Sequence, residues 1–165
     1  MNFFSFIFQD WQANRHNTKG RIITLFFRIA NYGTRNLFLR ILFFPYRVFY
    51  KFFVEWILTI ELPSRLQIGK GLRIYHGQAL VVNEGVRMGQ NVTVRHSTTM
   101  GNKIAGGGFP VIGSNVDIGS NVCILGDITI GDNVTIGAGS VVVKSVPNDV
   151  TVVGNPAKVI NRFPM

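Results

Sequence analysis

At 165 residues, 47% of them hydrophobic, with a net charge of +9, the chain suits one domain with an appendage. Both charge and aromatics are unevenly spread: residues 1–60 hold eight basic side chains against two acidic ones, and seventeen of the twenty aromatics lie at or before Trp56. A single cysteine, Cys123, excludes an internal disulfide, and no apolar run approaches the ~20 residues needed to span a bilayer.

The compositional boundary falls near Leu62-Pro63-Ser64. It divides a basic, aromatic-rich arm, residues 1–62, from a second domain, residues 63–165. The first ten residues lack a basic start followed by a clean apolar core, so no cleavable signal peptide is read and the chain is expected in the cytoplasm.

In the arm, residues 3–11 are short and aromatic, and Asn14 to Gly20 reads as a polar turn. Arg21–Tyr32 and Thr34–Thr59 read as helices separated at Gly33, the second kinked or split at Pro45. Basic residues interrupt the apolar ones at Arg28, Arg35, Arg40, Arg47 and Lys51. The arm is expected to cap the open end of the following domain. The same pattern also suits peripheral contact with an anionic membrane surface. Nucleic acid is not expected as a partner, because no recognition motif accompanies the charge.

From Ile112 to Pro147 an aliphatic residue recurs at every sixth position: Ile112, Ile118, Ile124, Ile130, Ile136 and Val142. Four residues further on stand Val116, Val122, Ile128, Val134 and Val146, with Ser140 as the exception. Gly, Asn, Asp and Ser fill the spaces, residues that tolerate left-handed backbone or cap turns. A helix needs a period near 3.6. A strict period of six is the signature of a hexapeptide β-helix, in which three hexapeptides close one triangular coil. The expected fold is mainly β, a parallel β-helix preceded by a helical arm. Cys123 follows Val122 at an expected turn and reads as a structural thiol.

The repeat begins earlier, at Ile68 and Ile74, but units then start at Val82, Met88, Val94 and Met100, so two extra residues fall around His76-Gly77-Gln78-Ala79. A Gly-rich excursion, residues 102–109, precedes the return of register at Ile112. Breaks in a repeat map to loops, and loops on a rigid scaffold carry sites.

Of three histidines, His16 lies in the arm's polar turn, His76 in the insertion and His96 at a turn. Two histidines and one distant cysteine do not make a zinc site, and no metal is expected. A neutral imidazole can instead take a proton from a hydroxyl as its oxygen attacks a thioester. It needs a carboxylate to fix its tautomer, and Glu61 and Glu84 are the candidates near in sequence.

A set of words carries a resemblance: Tyr75-His76-Gly77, Leu80-Val-Val-Asn-Glu84, Arg95-His96-Ser97, Met100-Gly-Asn, Ile124-Leu-Gly-Asp-Ile-Thr-Ile-Gly131, Ile136-Gly-Ala-Gly-Ser-Val-Val142 and Val153-Gly-Asn-Pro-Ala-Lys158. From Glu61 to Ile160 the chain resembles the serine acetyltransferase family of hexapeptide-repeat acyltransferases, and most of all its capsular and colanic-acid polysaccharide branch. The resemblance implies a left-handed parallel β-helix, a homotrimer with sites between subunits, and transfer of acetyl from acetyl-CoA to a hydroxyl. It places the catalytic base at His76, its carboxylate partner at Glu61, and a further family glutamate at Glu84. It places coenzyme contacts at Ser120, Gly137, Ala138 and Lys144, with Lys158 set to meet phosphate.

The acceptor pocket departs from the serine-specific pattern. Tyr75 replaces an aspartate, and Gly108-Phe109-Pro110 replaces an Arg-His-Pro. Loss of a guanidinium that could grip a carboxylate argues against serine. Tyr75, Arg95, His96 and Phe109 are the candidate acceptor contacts, and a phenylalanine face suits a sugar ring. Three functions follow for test: O-acetylation of a surface-polysaccharide sugar or its precursor, O-acetylation of serine for cysteine synthesis, and a non-catalytic hexapeptide scaffold or membrane adaptor.

Overall fold

The computed structural model describes residues 2–160. Four α-helices come first: α1 (Phe3–Ile7), α2 (Thr18–Tyr32), α3 (Leu37–Leu42) and α4 (Phe44–Tyr50), with α4 running into a π-helical turn at Lys51–Ile57. Helix α2 starts three residues earlier than the sequence suggests, because Asn17 caps it by accepting from the Gly20 amide at 2.9 Å. The helix expected over Thr34–Thr59, kinked or split at Pro45, is split next to that residue. Asn36 caps α3, Phe43 ends it, and Pro45 sits in the first turn of α4, where its missing N–H costs no helical bond.

Fifteen short strands follow among the described residues. The coils run β1 (Ile60–Glu61), β2 (Gln67–Ile68), β3 (Arg73–Tyr75), then β4 (Leu80–Val82), β5 (Arg87–Met88), β6 (Thr93–Arg95), then β7 (Thr99–Gly101), β8 (Val111–Ile112), β9 (Asp117–Ile118). They continue with β10 (Cys123–Leu125), β11 (Thr129–Ile130), β12 (Thr135–Ile136), and end with β13 (Val141–Val142), β14 (Thr151–Gly154) and β15 (Ala157–Ile160). Three sheets result, ordered β1-β4-β7-β10-β13, β2-β5-β8-β11 and β3-β6-β9-β12-β14, each parallel, with β15 added antiparallel to β14. This is a three-sided parallel β-helix. Cys123 begins a strand, paired with Thr99 and Val141, rather than sitting in a turn.

The period of six becomes ladders of buried side chains. Val82, Met100, Ile124 and Val142 stack in register on one wall, and Ile74, Val94, Ile118, Ile136 and Val152 on another, all nearly inaccessible. Ser140, the exception in the sequence, is buried too. Its hydroxyl donates to the Gly137 carbonyl at 2.6 Å and accepts from the Gly154 amide at 3.1 Å, so the buried polar group is satisfied. One corner carries an amide ladder, Asn91 to Asn115 to Asn133 to Asp149, whose Asn and Asp residues all hold left-handed backbone.

The arm closes the first coil. Ile23, Phe27, Ala30, Tyr50 and Val54 join the same core as the ladders. The strand edge that a β-helix leaves open at its first coil is met by side chains. Asn14 donates to Leu72 O, Asn17 to Ile74 O, Asn31 to Ser64 O and Leu66 O, and Arg28 to Ile68 O and Gly69 O. Asp10 accepts from the amides of Gly71 and Leu72 and pairs with Arg28 at 2.7 Å, both side chains only 1% exposed.

Candidate active site

The insertion resolves to two residues. Tyr75 lies beside Arg95 in register, while the Ser97 amide donates to Gln78 O. The equivalent bonds one and two coils on are Asn121 N to His96 O and Gly139 N to Ser120 O. Gln78 therefore occupies the place of His96, and the extra pair is His76-Gly77. Ala79, Ser97, Asn121 and Gly139 are the regular left-handed corner residues, with φ of 53°, 57°, 60° and 70°.

His76 is left-handed as well, at φ 67°. For a residue with a Cβ this conformation costs roughly 1–2 kcal/mol, and such outliers cluster where the surrounding structure imposes them for use. Gly77 follows at φ 75°, and a Cβ there would stand 3.0 Å from Ile60 and 3.1 Å from Ile74. Only glycine lets the loop press onto the core and turn the exposed His76 outward. The His76 and His96 rings lie edge to face with centroids 5.7 Å apart. With its nitrogen turned to the His76 carbonyl, the Gln78 side-chain amide donates there at 2.7 Å and accepts from Lys19 Nζ at 2.6 Å, which ties the arm to this loop.

Several expected site residues share this edge of the prism. His96, Ser120 and Ala138 follow one another up the corner above the His76 loop, and Gly137 precedes Ala138. A Cβ on Gly119 would meet Ala138 N at 2.5 Å, so adjacent coils touch here backbone to backbone. Beside it, Arg95 ion-pairs with Asp117, donates to Ile118 O at 2.8 Å, and holds its guanidinium 5.7 Å from the Tyr75 ring.

Other candidates have partners of their own. Among the described residues neither Glu61 nor Glu84 forms an ion pair or hydrogen bond with His76. Glu61 pairs in register with Val81, and Glu84 is bound by Arg65 at 3.3 Å. Phe109 is half-buried on the core, with Gly85 beneath its ring: a Cβ there would fall 2.2 Å from it. The Gly-rich excursion forms a separate cleft of about 450 Å³ with Leu125, Asp127, Ile128 and Val143. Lys144 is exposed just beyond β13, and Lys158 is exposed on β15. Among the described residues no three potential metal ligands converge.

Sequence reasoning missed Lys19, Arg15, Lys70 and Arg73. The last three join His16 and Tyr75 around a cleft of about 540 Å³ between arm and first coil. No local pattern marks them, because the cleft exists only once the arm has docked.

Residues 109–144 match the family of bacterial transferase hexapeptide, six repeats. Along nearly its whole length, 92% of the chain and 96% of the relative, the chain is 38% identical to WcaB of Escherichia coli K12, a protein assigned to colanic acid biosynthesis as an acetyltransferase. Among solved structures, the soybean serine acetyltransferase complexed with serine superposes with a TM-score of 0.82 at 31% identity, over 96% of this chain and 69% of that one. The serine acetyltransferase of Brucella abortus in complex with coenzyme A superposes at 0.81 with 27% identity, over 98% and 69%. The expected left-handed hexapeptide β-helix is the fold these structures share with the chain.

Proposed function

Because this chain belongs to the hexapeptide-repeat acetyltransferases of the serine acetyltransferase type, we propose that it moves acetyl from acetyl-coenzyme A to a sugar hydroxyl of a surface polysaccharide or its precursor. The observation that carries the acceptor choice is the end-to-end likeness to WcaB, set beside serine acetyltransferases of which the chain spans 69%. The altered acceptor corner supports it. Tyr75 lies against Arg95, whose charge is already met by Asp117 and which therefore offers no free fork to a serine carboxylate.

In this reading the neutral His76 imidazole accepts the acceptor's hydroxyl proton. The alkoxide oxygen forms its bond to the thioester carbonyl carbon, and the C–S bond then breaks. The coenzyme thiolate leaves and takes up the proton that the imidazolium carries. A carboxylate, Glu61 or Glu84, steadies the imidazolium that forms. The coenzyme lies along the corner of Ser120, Gly137 and Ala138, where small residues admit its backbone, and Lys144 and Lys158 meet its phosphates. Three copies assemble so that each site lies between two subunits.

The arm adds contact with a membrane surface. Leu37, Phe38, Ile41, Phe44, Phe52 and Trp56 are all exposed, Phe38 by 72% and Trp56 by 66%, among Arg35, Arg40 and Lys51. No helix among the described residues is long and apolar enough to cross a bilayer.

The test is thiol release from acetyl-CoA, first with L-serine and then with cell-envelope glycans. Saturable turnover on serine and none on glycans overturns the acceptor. Failure to bind acetyl-CoA in calorimetry favours the non-catalytic scaffold. Light scattering that shows only monomer removes the trimer. Vesicle flotation that is indifferent to anionic lipid removes the membrane contact.

A further inference from the structure

We infer that the cleft between the arm and the first coil binds a phosphate or diphosphate group carried by the acceptor. The inference rests on the proposed function, since it adds a recognition element to the same site.

Arg15, His16, Lys70 and Arg73 line this cleft together with Tyr75, and among the described residues no carboxylate does. None of the four pairs with a carboxylate among the described residues. Cations nearby are differently placed. Arg28 is bound by Asp10, Arg65 by Glu84 and Arg95 by Asp117, while Arg21 lies over Trp11 and Arg35 over Phe6 and Tyr32. Three permanent positive charges around one concavity repel one another and focus a positive potential into it. A di- or trianion relieves that repulsion, and guanidinium groups match phosphate oxygens in pairs.

The rest of the lining is polar as well: the side-chain amides of Gln9, Gln12 and Asn91 can donate to an anion's oxygens. Apolar ligands gain nothing from such a lining.

The cleft also adjoins the chemistry. Strand β3 presents Arg73 and Tyr75 on its outer face and runs directly into His76. An acceptor held by its phosphate here extends its sugar along Tyr75 towards the imidazole. Activated sugars carry a diphosphate next to the ring, joined either to a nucleoside or to a lipid. Both present the same chemistry to the cleft.

The experiment uses the full chain saturated with coenzyme A, so that the coenzyme's own phosphate sites are filled. Inorganic pyrophosphate is titrated by calorimetry at low and at physiological salt. The expected result is saturable binding, one per protomer, weakened by salt and weakened at least tenfold by Lys70→Ala with Arg15→Ala. Both side chains are exposed, so their loss is expected to leave the fold intact, which circular dichroism checks. No binding, or binding that the double variant leaves unchanged, overturns the inference. Binding of glucuronate in place of pyrophosphate also overturns it, by assigning the cleft to carboxylates. Competition by uridine diphosphate sugar or by a short-chain polyprenyl diphosphate sugar then separates the two sources. If pyrophosphate fails to bind while glycans still turn over, the cleft inference falls and the proposed function stands. If pyrophosphate binds but no glycan turns over, the proposed acceptor falls and the cleft stands.

Discussion

Replacing Asp10 with alanine removes the group on which the arm is anchored. The carboxylate accepts four hydrogen bonds, from Arg28 Nε at 2.7 Å and Nη2 at 3.2 Å and from the amides of Gly71 at 2.8 Å and Leu72 at 3.0 Å. Its loss leaves the Arg28 charge in a site that is 1% exposed. Removing one partner of a buried pair costs about 3–5 kcal/mol. Arg28 keeps the carbonyls of Ile68 and Gly69, which holds the cost within that range rather than above it. For a chain of this size 1 kcal/mol moves the melting temperature by about 2–4 °C, so Asp10→Ala is expected to melt roughly 6–20 °C lower. The assay is thermal unfolding followed by circular dichroism at one fixed protomer concentration, since assembly couples to stability. Asp10→Ala with Arg28→Met removes both charges and is expected to recover much of the loss, because a buried pair is often replaceable by apolar packing. A single variant that melts within about 2 °C of the wild type refutes the reasoning. So does a double variant whose losses simply add, which would mean the two groups are not coupled.

His76→Ala should lower turnover by ~10²–10⁴-fold while acetyl-CoA binding in calorimetry is unchanged, and near-normal turnover would remove it as the base. Gly85→Ala drives a methyl into the Phe109 ring; a loss of about 1–3 kcal/mol is expected in denaturant unfolding, and Phe109→Leu in the same chain should restore part of it. Burial pushes the Tyr46 phenol up to about 12 and holds the Tyr50 phenol well above its ordinary value. A raised folded pKa contributes stability that is complete below the unfolded value near 10 and is lost as pH rises through 12. Alkaline unfolding is therefore expected between about pH 10 and 12, displaced upward when Tyr46 and Tyr50 are both phenylalanine, and an unmoved midpoint would count against it. Trp56 is exposed on the arm; its emission should shift to the blue with anionic vesicles, and an unchanged spectrum would speak against insertion.

The β-helix was legible in the sequence because its repeat is local. An aliphatic residue every six positions, with turn-forming residues between, specifies one strand and one corner at a time, and stacking then follows from burying the ladders. The two breaks were legible for the same reason, as slips in a known period. What the sequence left open depends on contacts across long separations. Periodicity placed the insertion somewhere in His76 to Ala79; only the pairing of Tyr75 with Arg95, and of Ser97 with Gln78, shows that His76-Gly77 is the added pair. Pro45 marked where the helix over Thr34–Thr59 divides, but the Asn36 cap that delays its start and the π-helical turn at Lys51–Ile57 carried no such local mark. Asp10, Asn14, Asn17, Arg28 and Asn31 look like ordinary polar residues of an arm. They become the partners of the open strand edge only when brought against residues 33 to 62 positions away. That docking also encloses Arg15, His16, Lys70 and Arg73 around one cleft. A sequence records the charge of each, but their convergence is a property of the folded surface.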